Sequence, residues 1–146
     1  MHRTETLRRQ HDSASALAAT LVGQIEAYRG STDAAPIALT VAKLLGLLRI
    51  HLALEDKLLY PSMIASADTQ AAAVARTFAS EMGSLAESVG AFGERWLSAK
   101  RIASQFEDFR VDALSVVTVL GDRIRRENDE LYPLADNLNG WPQEAA

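Results

Sequence analysis

The sequence predicts an all-α protein, an up-down-up-down antiparallel bundle of four helices, and three observations carry the prediction. Apolar residues return at alternating steps of three and four along four separate stretches of chain. Period-two alternation bounded by turn residues is hard to find anywhere, so strands are not expected. The connections are about five to eight residues, and short connections between long helices make sequential neighbours antiparallel.

The first stripe reads Leu7, His11, Ala14, Ala18, Leu21, Ile25 and Tyr28, with Gly30 as a natural C-terminal cap. The second follows the capping cluster Ser31-Thr32-Asp33, has Pro36 in its first turn, and runs Ile37, Val41, Leu44, Leu48, His51, Glu55 and Leu58. It ends in Tyr60-Pro61, where proline is expected to kink or stop the helix. A third stripe after Ala67-Asp68 reads Ala71, Ala75, Phe78, Met82, Leu85, Val89, Phe92 and Trp96. A fourth follows the capping-box pattern Ser104-Gln105-Phe106-Glu107 as Phe109, Ala113, Val116, Leu120, Arg123, Glu127 and Leu134. Gly23, Gly46, Gly83, Gly90 and Gly121 fall inside helices, with close helix approach as the default reason.

A chain of 146 residues makes one domain, taken as 1–146, and can bury roughly 70% of its unfolded surface. With 48% hydrophobic and 23% charged residues it reads as globular. The absence of cysteine removes disulfides, thiolate zinc sites, iron–sulfur clusters and cysteine nucleophiles. A net charge of −4 argues against nucleic acid as a partner, and Arg8-Arg9, Lys100-Arg101 and Arg125-Arg126 read as solvated helix faces. No apolar leader is visible in Met1 to Gln10, and the apolar run from Ile37 to Leu54 is broken by Thr40, Lys43, Arg49 and His51. The expectation is therefore a cytoplasmic protein without a membrane partner. No nucleophile–base pair or phosphate loop is evident, so an enzyme is not expected.

The stripes carry residues that do not belong in a hydrophobic core: His11, His51 with Glu55, and Arg123 with Glu127. A buried carboxylate costs several kcal/mol unless a cation meets it. Counted from the loop ends, His11, His51, Met82 and Arg123 fall within roughly 5 Å of one height, with Glu55 and Glu127 one turn further on, so six side chains converge. The unit His51 to Pro61 also returns as Arg123 to Pro133 at an offset of 72, so the second and fourth helices read as one unit used twice. Imidazoles and carboxylates meeting inside a bundle, with no thiols, suit iron, manganese or zinc.

On these residues the chain resembles the hemerythrin-like (HHE cation-binding) family over nearly its whole length. The resemblance rests on His11, on H-x-x-x-E-x-x-x-L-Y-P from His51 to Pro61, and on the degenerate copy from Glu127 to Pro133, with Glu81 matching the acid that often precedes a third-helix histidine. It implies a carboxylate-bridged di-iron bundle used for O₂ binding, sensing or iron handling. This chain has Met82 and Arg123 where that family has histidines on the third and fourth helices; its remaining histidine, His2, lies at the N-terminus. The half-site of His11, His51, Glu55 and Glu127 is complete, and Arg123 is placed to neutralise Glu55 and Glu127 as a second metal would.

Three readings follow. One is a ligand-binding or sensing domain with a single non-haem iron, manganese or zinc ion and a small diatomic molecule, or the metal itself, as ligand. Another is a metal-free structural or interaction domain, and the third a working di-iron protein. Tyr60-Pro61 and Tyr132-Pro133 read as helix punctuation, Met82 as core packing, and Trp141-Pro142 as a tail able to pack back on the bundle.

Overall fold

The computed structural model describes residues 3–138, so His2 and Trp141-Pro142 lie outside the described residues. These form α1 (Glu5–Glu26), a 3₁₀ turn (Ser31–Asp33), α2 (Ala34–Leu54), a π turn (Glu55–Leu59) and α3 (Tyr60–Ile64). Then follow α4 (Thr69–Arg95), α5 (Ala99–Ser104), α6 (Phe106–Arg126), a second π turn (Glu127–Leu131) and α7 (Tyr132–Asp136). No strand occurs among the described residues.

α1 packs on α2 and α6, and α4 packs on the same two. Leu21 and Ile25 of α1 cluster with Ile37 and Val41 at the start of α2, while His11 meets His51 near its end. These two helices are therefore antiparallel. Tyr28 stacks on Phe106 with ring centroids 3.6 Å apart, and Thr4 bonds Asp136 at the opposite end, so α1 also opposes the α6–α7 segment. Arg95 pairs with Asp112 and Glu81 with Arg126, which sets α4 against α6 in the same sense.

Several helix ends differ from the sequence expectation. α1 stops at Glu26 and Gly30 is extended, with φ 177°, so glycine does not cap it. Asp33 makes no cap to α2; its Oδ2 accepts the Arg29 N–H instead. Ser104 closes the short α5, and Gln105 makes no side-chain cap, so no capping box starts α6. Asp68 does cap α4, accepting the Ala71 N–H at 3.0 Å, and Ser98 caps α5.

The prolines do not end the helices. A proline lacks the N–H that would bond four residues back, and its ring crowds that carbonyl. Here each proline follows a wider turn in which Tyr60 N–H bonds the Glu55 carbonyl and Tyr132 N–H bonds that of Glu127, and the helix continues. The extra residue moves the inward face forward by one. Leu59 and Tyr60 are buried where Leu58 was expected inward, and Leu131, Tyr132 and Ala135 rather than Leu134.

Gly23, Gly46, Gly83, Gly90 and Gly121 face open space, which overturns close approach as their reason. Gly93 is the tight one, since a Cβ there would lie 3.0 Å from Leu45 Cδ1. The stretch Ser31–Ile64 is long and apolar enough to cross a membrane by length and composition, with mean hydropathy 1.8, so Lys43 and Arg49 do not by themselves exclude a span. In this fold its Ile37, Val41, Leu44 and Leu48 are core residues.

Candidate metal centre

Between an apolar cluster around Phe78, Met63 and Leu131 and another around Leu44, Leu48 and Leu120 lies a layer of buried polar side chains. His11 comes from α1, His51 from the last turn of α2, Glu55 and Glu127 from the first residues of the two π turns, and Arg123 from the last turn of α6. All five are buried. One ligand atom from each of His11, His51, Glu55 and Glu127 can be chosen so that all four lie within 4.8 Å of one another.

The two Nε2 atoms are 3.1 Å apart, and His11 Nε2 is 2.8 Å from Glu127 Oε1. His51 Nε2 is 3.4 Å from Glu55 Oε1 and 3.5 Å from Glu127 Oε1. Their outer nitrogens are held by amide oxygens: His11 Nδ1 faces Asn128 Oδ1 at 2.7 Å, and His51 Nδ1 faces Gln10 Oε1 at 2.8 Å. An amide oxygen accepts only, so each Nδ1 carries the proton and donates. With each Nδ1 so bonded, an imidazole that gives up its Nε2 proton turns that nitrogen's lone pair into the site, as a metal ligand requires. Glu55 Oε1 is buried with no hydrogen-bond partner, while its Oε2 accepts the Tyr132 hydroxyl at 2.8 Å. A buried carboxylate oxygen without a hydrogen bond, 3.4 Å from His51 Nε2, fits a cation, and two nitrogens with two carboxylates suit iron, manganese or zinc.

The electrostatics have the same origin. Burial pulls His51 down, but its contacts with Glu127 and Glu55 outweigh it and lift the group to about 9. Burial and the Glu127 charge push Glu55 up to about 7 against the pull of His51. Glu127 resists its burial, because His11 and His51 hydrogen bonds hold it well below the usual carboxylate range. Tyr132 and Tyr60 are pushed far up, first by burial and then by the two glutamates.

Arg123 closes the other side. Its Nε donates to Glu127 Oε2 at 2.9 Å and its other nitrogens to Tyr60 OH at 2.8 Å, the Phe78 carbonyl at 3.0 Å and Glu81 Oε2 at 3.2 Å. The guanidinium also lies over the Phe78 ring, 4.6 Å from its centroid. Burial works against its charge, yet Tyr60 and Glu127 raise it above its ordinary value. Its carboxylate hydrogen-bond partners are thus Glu127 and Glu81; Glu55 makes no direct bond to it, although the Glu55 charge also helps to raise the guanidinium. Glu81 is half exposed and clamped by Arg126 at 2.7 Å, so Arg126 is no free surface charge. Nor is Arg8, which bonds Thr4 and Asp136 and lies over the Tyr132 ring. Met82 is buried in the apolar cluster with Phe78 and Tyr60.

Four residues of this layer escaped the sequence reading: Gln10, Asn128, Tyr60 and Tyr132. The tyrosines had a signal, since both copies of the internal repeat keep tyrosine five residues after glutamate. Beside the histidines lies a cavity of about 20 Å³, walled by Ala14, Leu47, Leu48 and Leu120. It has room for one water-sized molecule.

Compared with known families, residues 2–135 match the hemerythrin HHE cation binding domain. No curated protein and no solved structure matches the chain significantly.

Proposed function

Since the chain belongs to the hemerythrin HHE cation-binding family, we propose that it binds one non-haem metal ion through His11, His51, Glu55 and Glu127 and acts as a binding or sensing domain for a small ligand rather than as an enzyme. The observation that carries this reading is the buried Glu55 Oε1, which makes no hydrogen bond and has only His51 Nε2 at 3.4 Å, beside two imidazoles whose outer nitrogens are already bonded. The four donors supply a chemically sufficient set for iron, manganese or zinc. Arg123 supports a count of one: it occupies Glu127 Oε2, the oxygen a second ion would need, and its fixed charge repels such an ion. The cavity beside the histidines, lined by Ala14, Leu48 and Leu120 as well as by Gln10, Arg123 and Glu127, supports a ligand no larger than a diatomic molecule. The antiparallel pairings of α1 with α2 and α6, and of α4 with α6, support an up-down-up-down four-helix bundle as the scaffold.

A metal-free structural role is the second reading, favoured by the internal compensation of Glu127 by Arg123 and the histidines. Elemental analysis of untagged protein separates the two. A metal-to-protein ratio near one is expected; a ratio near zero after metal loading supports the metal-free reading, and a ratio near two refutes the single site.

A further inference from the structure

The hydroxyl of Tyr132 stands among the four candidate ligand atoms rather than behind them. It is 2.8 Å from Glu55 Oε2, 3.2 Å from Glu127 Oε1, 3.2 Å from His11 Nε2 and 3.4 Å from His51 Nε2. No other side chain in the described residues reaches all four. Its ring is buried and stacks on that of His11, with centroids 5.1 Å apart, so the side chain has little freedom to swing away. The π turn accounts for this: by adding one residue between Glu127 and Tyr132 it turns both to the interior.

The internal repeat makes the placement informative. Tyr60 reaches Arg123, the residue that matches His51, while Tyr132 reaches His51 itself. Each tyrosine therefore addresses the cationic or imidazole position of the other copy. In one half a guanidinium meets the phenol and in the other two imidazoles do. The phenol facing Arg123 can only accept a hydrogen bond from it, whereas the phenol facing the histidines stands where a cation would be shared.

We propose that Tyr132 is a fifth donor of the metal site, binding ferric iron as its phenolate. This rests on the reading of His11, His51, Glu55 and Glu127 as a metal site. On binding, Tyr132 exchanges its O–H bond for an O–metal bond; the proton passes to Glu55 Oε2, its present acceptor, and on to solvent, with no change in oxidation state. A bound cation favours this exchange, since its charge stabilises the phenolate oxygen that binds it.

The test uses the full-length protein loaded with Fe(II) and oxidised with ferricyanide, read by iron content, visible absorbance and resonance Raman scattering. A phenolate-to-iron charge-transfer band with enhanced tyrosine ring modes is expected in the parent, retained in Tyr60→Phe and lost in Tyr132→Phe, with iron still near one per chain. Iron near one per chain without the band overturns the Tyr132 proposal and leaves the four-residue site standing. No iron overturns both. The parent spectrum decides the matter even if Tyr132→Phe does not fold, and a band lost in Tyr60→Phe assigns the ligand to the wrong tyrosine and overturns the proposal.

Discussion

Replacing Arg123 with methionine keeps most of the buried stem and removes the charge, and the structure sets the size of the effect. The guanidinium donates to Glu127 Oε2, Tyr60 OH, the Phe78 carbonyl and Glu81 Oε2. Glu81 is half exposed, so its share is worth at most about 1 kcal/mol. Glu127 is almost wholly buried, and breaking one partner of a buried pair costs about 3–5 kcal/mol. His11 still holds the other oxygen of Glu127 at 2.8 Å, which places the expectation at the lower end, about 3 kcal/mol. With a urea dependence of about 2 kcal/mol per molar, the unfolding midpoint of metal-free Arg123→Met in EDTA should fall by about 1.5 M. Adding metal should recover part of the loss by mass action, since the ion supplies the missing charge. Arg126→Met, which removes a partly exposed clamp on Glu81, should cost less than about 1 kcal/mol. A loss of less than about 0.5 kcal/mol for Arg123→Met would refute the argument that this side chain neutralises Glu127.

Stability of the metal-free protein should fall between pH 5 and 9, measured by urea unfolding in EDTA, because two groups change in the same sense. The contribution of His51, lifted from 6.5 to about 9, is fully present below 6.5 and lost as pH rises through 9. That of Glu55, lifted from 4.5 to about 7, is present below 4.5 and lost through 7, so Glu55→Gln should flatten this part of the profile. Glu127, held below its ordinary value, acts oppositely, its contribution being lost as pH falls below about 4.5. Metal-loaded protein should gain stability over the metal-free form as pH rises, since the donors must be deprotonated, and a metal increment that shrinks with pH would count against the site. The double change Met82→His with Arg123→His should raise iron content above that of the parent and of either single variant, because it adds two imidazoles and removes the repelling charge; unchanged content in a folded double variant would show that these positions do not face the site. Gly83→Ala should stabilise by about 0.5–1 kcal/mol, as its Cβ meets nothing within 4 Å, and a thermal melt showing a loss would contradict the open space there.

Helical periodicity is a local property. Leu7, Ile37, Phe78 and Phe109 could be assigned inward from spacing alone, and the same counting put His11, His51, Met82 and Arg123 at one height in the interior with Glu55 and Glu127 one turn further on. All of these are buried in the fold. What the periodicity could not carry was the π turn. One added residue rotates everything after it by about 100°, so the assignment failed just past Glu55 and Glu127, where Leu58 and Leu134 gave way to Leu59, Tyr60, Leu131 and Tyr132. Partner choice was also beyond reach, because whether Arg123 meets Glu55 or Glu81 depends on where α4 and Tyr132 sit, and these are contacts between residues 42 and 77 positions apart. The sequence by itself therefore determined that an all-helical chain turns a layer of histidines, carboxylates and one arginine inward. Only the tertiary structure decided that Gln10 and Asn128 orient the histidines, that Arg123 serves Glu127, and that Tyr132 stands at the centre, because hydrogen-bond geometry is set by the packing of separate helices and has no local signature.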